Sequence, residues 1–209
     1  MTHPARVDHV VTSLGEGGAE SLVYNLAQEQ TRRGYEVGVW TLFQGPPSSP
    51  QFRKLAAERT SILTSLGVSV RTIGNGSRDA RAGFRLRTAL KGVDSRGVLH
   101  VHSAATALAA RVAGRSGRTV VTLHNIQFNL PDFMLREMIR GLGAYTAVSE
   151  ESSLAFEQLL GRPVKYVRNG VPLSSKVPSR LTHQPPYEVL SVGRLDTQKK
   201  LSPGWWCTG

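Results

Sequence analysis

The sequence predicts an α/β fold, a doubly wound parallel sheet, followed by the start of a second domain. Three observations carry this. Short runs rich in valine, leucine and threonine recur along the chain with helical stretches between them. Several runs are continuously apolar rather than alternating, the pattern of parallel strands covered on both faces. The first run passes through a glycine-rich turn straight into an amphipathic stretch, and repeated β-α-β order of this kind winds with right-handed crossovers.

The expected strands are Val7–Thr12, Val37–Leu42, Val68–Ile73, Val98–His102, Thr119–Leu123, Ala144–Val148 and Val164–Val167. Between the first two, Ala19, Leu22, Val23, Leu26, Ala27 and Gln30 recur at helical spacing and place one stripe on the sheet. Arg32-Arg33-Gly34 ends that helix, with basic residues at its negative end and a glycine stop. Ala104–Ala113 is apolar nearly all round and reads as a buried helix. Another helix opens at Ser149, whose hydroxyl can cap it, with Glu150 and Glu151 favoured at the positive end. Residues 1–170 thus read as one sheet domain and 171–187 as a proline-rich linker carrying Pro172, Pro178, Pro185 and Pro186. Residues 188–209 read as the beginning of a second domain, opened by the strand Val189-Leu190-Ser191-Val192 and stopped at Pro203-Gly204.

Composition bounds the rest. The chain has 209 residues, 40% hydrophobic and 20% charged, with mean hydropathy −0.20, which excludes a disordered, collagen-like or disulfide-scaffold protein. A single cysteine, Cys207, cannot form an internal bridge, which suits a reducing cytoplasm or mere indifference to redox. The N-terminus lacks the apolar core of a signal peptide, and no run approaches the roughly 18 apolar residues that would span a bilayer. The expectation is a soluble, cytoplasmic protein. Its net charge of +11 needs an account.

The first strand ends in Ser13-Leu14-Gly15-Glu16-Gly17-Gly18-Ala19-Glu20. Glycines at such a turn let a phosphate approach the backbone, and the helix start offers it unpaired N–H groups. The plain alternative is a tight turn in which Glu20 serves as the N3 half of a cap. Two cofactor patterns fail here. The nicotinamide fingerprint needs a third glycine where Glu20 stands, and an acid near the second strand's end where Trp40, Thr41, Leu42 and Phe43 stand. No Gly-Lys-Ser/Thr triplet follows to make a P-loop.

Taken in order, the motifs resemble those of family 4 glycosyltransferases of the GT-B fold. Gly17-Gly18-Ala19-Glu20 opens a helix that ends Arg33-Gly34-Tyr35-Glu36-Val37, as in that family. His100-Val101-His102 is similar to its H-x-H strand, and Thr122-Leu123-His124 to its T-x-H strand end. Ala147-Val148-Ser149, Asn169-Gly170-Val171 and Val192-Gly193-Arg194-Leu195 with Lys199 complete the series over residues 7–200. The resemblance implies two Rossmann-like domains facing across a cleft, the first mainly for the acceptor and the second for the nucleotide sugar. It implies transfer of a sugar from a nucleotide-diphosphate donor to a glycan, lipid-linked or small-molecule acceptor, with retention, no cofactor and no required metal. Gly17 and Gly18 would approach the diphosphate and acceptor. Arg194 and Lys199 would neutralise charge on the leaving nucleotide. His124 would contact the transferring sugar, against the plain alternative of a structural strand-end histidine.

His100 and His102 share one face of their strand, a spacing that suits a metal, but no third ligand is evident. Cleft-lining or packing roles are therefore expected for them, and no metal. The sequence departs from the family at Lys200, where glycine is expected, and carries no pair of glutamates eight apart for donor recognition. The expectation is a truncated chain, from a frameshift or early stop, that cannot transfer sugar alone.

Ten basic residues and two acids lie between Arg71 and Arg118. Arg78, Arg81, Arg85, Arg87 and Lys91 fall on one expected helix with Phe84, Leu86 and Leu90. That face suits peripheral contact with anionic lipid at the inner face of a membrane, or is simply an arginine-rich solvated exterior. Two functional alternatives to the enzyme stand beside these. One is a non-catalytic module that docks a separate donor-binding domain or an acceptor. The other is a charge-driven nucleic-acid binder, disfavoured because the basic cluster lacks interleaved aromatics beyond Phe84.

Overall fold

A computed structural model describes residues 6–46, 48–74, 81–92, 96–124 and 131–170. They form one all-parallel, seven-stranded sheet flanked by helices. The elements are β1 (Arg6–Val11), α1 (Gly18–Arg32), β2 (Glu36–Thr41), α2 (Pro50–Ser65), β3 (Ser69–Thr72), α3 (Ala82–Ala89), β4 (Val98–Val101), α4 (Ala104–Val112), β5 (Thr119–Leu123), α5 (Asp132–Ile139), β6 (Ala144–Ala147), α6 (Glu150–Leu160) and β7 (Lys165–Tyr166). All seven expected strands are present, most of them ending a residue or so short of the apolar run. The expected linker at 171–187 and second-domain start at 188–209 lie outside the described residues.

The strand order is β3-β2-β1-β4-β5-β6-β7. The chain therefore winds outward from β1 to one edge, returns to the other side of β1, and winds outward again. The switch between β1 and β4 is where an open parallel sheet places its ligands.

Side-chain alternation sorts the two faces. Val10, Trp40, Leu99, Val101, Val121, Leu123, Tyr145 and Ala147 pack in one core with Leu86 of α3, Ala107 of α4, Leu135 and Ile139 of α5 and Phe156 of α6. Val11, Val37 and Val39 pack on the opposite face with Val23 and Ala27 of α1 and Ala56 and Leu63 of α2. Leu22 and Leu26, counted on the α1 stripe from spacing, are only partly buried.

Helix starts follow local chemistry. Ser49 accepts from the Phe52 amide with Pro50 in the first turn of α2. Ser103 and Thr106 make a reciprocal capping box on α4, and Ser149 accepts from the Ser152 amide on α6 as its sequence position predicts. The α3 helix is shorter than the basic stretch. It buries Leu86, leaves Phe84 and Arg87 exposed, begins after Arg81, and Arg78 lies outside the described residues.

One polar cluster sits inside the first core. Asp8 is buried, and its carboxylate accepts from Trp40 Nε1 at 2.9 Å and from Arg6 Nε and an Arg6 terminal nitrogen at 2.8 and 3.0 Å. Arg6 also pairs with Glu36 at the surface. Gly38 lies opposite Asp8 on β2. Among the described residues, no helix is long and apolar enough to cross a membrane.

Candidate functional site

The site gathers at the carboxyl ends of β1, β4 and β5. After β1 the chain runs through buried Ser13 and Leu14 into the glycine loop. A methyl group on Gly15 would lie 2.2 Å from the Phe52 ring, so its absence lets the loop rest on α2. Gly17 is the N-cap of α1 with φ +148°, a conformation that side chains other than hydrogen resist. A Cβ there would come within 2.0 Å of Glu20 Oε2, so the Glu20 carboxylate is folded back over the helix start. Gly18 faces open space and is exposed.

Arg59 of α2 holds this loop from beneath. It donates to the carbonyls of Leu14 at 3.1 Å and Gly15 at 2.5 Å and to the Ser21 hydroxyl at 2.9 Å, with its guanidinium over the Tyr24 ring. Nothing in the sequence marks Arg59 among the other arginines, because its partners, two loop carbonyls, the Ser21 hydroxyl and the Tyr24 ring, lie far from it in the chain.

Beside the loop stand four imidazoles. His9 and His100 are cross-strand neighbours on β1 and β4. His102 and His124 follow the ends of β4 and β5. Their strand neighbours Val10, Val101 and Leu123 point into the opposite core, so all four histidines lie on the α1 face. Gln30 Oε1 lies 2.7 Å from His9 Nε2, His9 Nδ1 lies 3.1 Å from His102 Nε2, and His102 Nδ1 lies 3.3 Å from His124 Nε2. His100 Nε2 bonds Thr122 Oγ1 at 2.6 Å, which in turn bonds Thr146 Oγ1 at 2.7 Å.

Burial sets their charge. Loss of hydration pushes His9 below its ordinary pKa and holds His100 and His102 well below it, neighbouring imidazoles adding to the effect on the latter two. Burial takes His124 down to about 4. At neutral pH all four are uncharged.

His9 is the third imidazole that the sequence did not reveal. His9, His100 and His102 each offer a ring nitrogen within 4.8 Å of the others. A zinc ion at about 2.0–2.1 Å from each nitrogen would draw the donors to little more than 3 Å apart. The cluster is looser than that, and its facing nitrogens are already engaged with one another, with Gln30 and with Thr122. The residues do not fit a metal as they stand. Gln30, read from sequence as part of the apolar stripe of α1, is instead the polar end of that stripe and reaches His9.

A cavity of about 600 Å³ opens beside the loop between α2 and the β2–β3 edge. Thr41, Gln44, Arg53, Thr60 and Thr72 give it hydroxyl, amide and guanidinium groups, and Phe43 an apolar wall. Of the residues expected at the site from sequence, Gly17, Gly18 and His124 fall at these strand ends. Arg194 and Lys199 lie outside the described residues.

The Glycosyltransferase Family 4 model matches residues 16–175. Among solved structures, the chain is similar to HepE (Alr3699) of Anabaena in complex with UDP, at 18% identity and TM-score 0.56, covering 79% of this chain and 44% of that one. The same protein in complex with UDP and glucose matches at 19% identity and TM-score 0.56, covering 80% and 45%. At that identity the likeness is one of fold, and this chain spans less than half the length of those it matches. No curated protein matches the chain. With the glycine loop and the strand-end histidines in place inside a family match over residues 16–175, this chain belongs to glycosyltransferase family 4.

Proposed function

We propose that this chain contributes the acceptor-side domain of a retaining, metal-independent glycosyltransferase that uses a nucleotide-diphosphate sugar and no cofactor. The observation that carries it is the meeting of an open glycine turn and neutral, buried imidazoles at the switch point of a family 4 domain. In this reading the open space at Gly18 admits the donor diphosphate, whose charge the start of α1 favours. His124 meets a hydroxyl of the transferring sugar, and the α2 cavity takes a glycan, lipid-linked or small-molecule acceptor. Arg194 and Lys199 belong to the donor side. Residues 6–170 hold one Rossmann-like half of that architecture. The similarity to a structure binding UDP and glucose supports this choice of ligand class.

Titrating UDP-glucose into the ¹⁵N-labelled chain tests it. Shifts confined to the amides of Gly17 and Gly18 and to the His124 ring, lost on Gly18→Val, are expected. A silent spectrum at millimolar ligand would favour the docking-module reading instead.

Exposed Phe84 and Arg87 on α3, with exposed Lys91 in the turn that follows it, support peripheral contact with anionic lipid. At about 1 kcal/mol per basic residue near a charged surface, Arg87→Gln with Lys91→Gln should weaken binding to phosphatidylserine vesicles about 30-fold. Vesicle co-sedimentation indifferent to anionic lipid would leave a solvated exterior.

A further inference from the structure

The four histidines are wired by hydrogen bonds whose direction can be worked out from their ends. A neutral imidazole carries one proton, so one ring nitrogen donates and the other accepts. Gln30 presents Oε1 to His9, and a carbonyl oxygen can only accept. His9 must then carry its proton on Nε2, which leaves Nδ1 bare. His102 Nε2 donates to that bare nitrogen, leaving His102 Nδ1 bare in turn. His124 Nε2 donates to His102 Nδ1, and His124 is left with an unprotonated Nδ1 that has no hydrogen-bond partner among the described residues.

The second chain agrees. Thr146 donates to the Val121 carbonyl, so its oxygen accepts from Thr122, whose oxygen accepts from His100 Nε2. Both chains end on a carbonyl, and both force the Nε2–H form.

We propose that Gln30, in the last turn of α1, is a positioning residue that orders the protons of His9, His102 and His124 and so makes His124 Nδ1 a hydrogen-bond acceptor. The site therefore asks for a ligand that donates a hydroxyl at His124. That consequence rests on the reading of His124 as the sugar contact; the proton order does not.

Long-range ¹H–¹⁵N spectra of the labelled full chain at pH 7.5 report which ring nitrogen of each histidine is protonated, with assignment by single substitutions. The Nε2–H form is expected for His9, His100, His102 and His124. Gln30→Glu keeps an acceptor at His9 and should leave all four unchanged. Gln30→Lys replaces it with a donor and should turn His9, His102 and His124 together to the Nδ1–H form while His100, on its separate chain, stays as it was. A purely structural Gln30 would not move the proton three rings away.

An Nδ1–H form of His124 in the unmodified protein would overturn the proposal. So would a Gln30→Lys spectrum in which His9 alone changes, or one equivalent of zinc binding tightly to the rings. Should Gln30→Lys not fold, the unmodified protein and Gln30→Glu still decide. An ordered chain without UDP-glucose shifts would refute the sugar reading and leave the proton order standing; disordered tautomers with shifts present would do the reverse.

Discussion

Lowering the pH from 7 to 5 should destabilise this domain steeply. His124 has a pKa near 4 in the folded chain, against about 6.5 when unfolded. Between those values the unfolded chain binds a proton that the folded chain refuses, so stability is complete above about pH 6.5 and falls as the pH drops towards 4. This histidine alone removes about 2 kcal/mol between pH 7 and 5. His9, His100 and His102 are depressed in the same direction by burial, so each adds to the loss over the same window. A domain stable by about 5–15 kcal/mol has little margin for that. Urea midpoints at pH 7, 6 and 5 should fall progressively, and His124→Gln should reduce proton uptake on unfolding by one. A midpoint that held steady down to pH 5 would mean the imidazoles are hydrated or already charged.

Gly38→Ala is expected to cost about 3–5 kcal/mol, an unusual penalty for one methyl group. Its Cβ would stand 2.1 Å from Asp8 Oδ1, the atom that accepts from Trp40. The carboxylate cannot yield easily, since Arg6 holds it from another side. Displacing it breaks a buried ion pair and leaves the indole N–H without its acceptor, and each of these is a large penalty in a low-dielectric core. Asp8→Ala should also destabilise strongly. The double variant should be less damaging than the sum of the two, because the clash disappears with the carboxylate. Additive losses in thermal denaturation would rule out this contact as the cause.

The elements were readable because apolar periodicity and caps are local signals. Ala104–Ala113 is apolar nearly all round and reads as a buried helix; it is α4, mostly buried with Leu108 exposed. Ser149 could be named as a cap because its partners lie within the next turn. The site was legible in part. Gly17, Gly18 and His124 stand in ordered motifs at strand ends, where the switch between β1 and β4 gathers them. His9, Gln30 and Arg59 were not legible, since each acts through a partner brought near only by the sheet order. His9 needs β4 beside β1, and no local pattern specifies that neighbour. The third imidazole of a cluster is invisible until His9 on β1 is paired with His100 on β4.

Asp8 and His9 are adjacent in the chain yet serve opposite faces of β1, the carboxylate with Trp40 and Arg6, the imidazole with Gln30 and His102. If β1 slipped by one residue against its neighbours, the two would change sides. A carboxylate would land among the imidazoles and a ring would press into the Trp40 core, each leaving its partners stranded. An all-apolar strand such as this one otherwise resembles has little to distinguish one alignment from the next. The two polar groups therefore act as a key with two differently cut edges. They make the misaligned chain expensive and tie correct assembly of the central strand to correct assembly of the site.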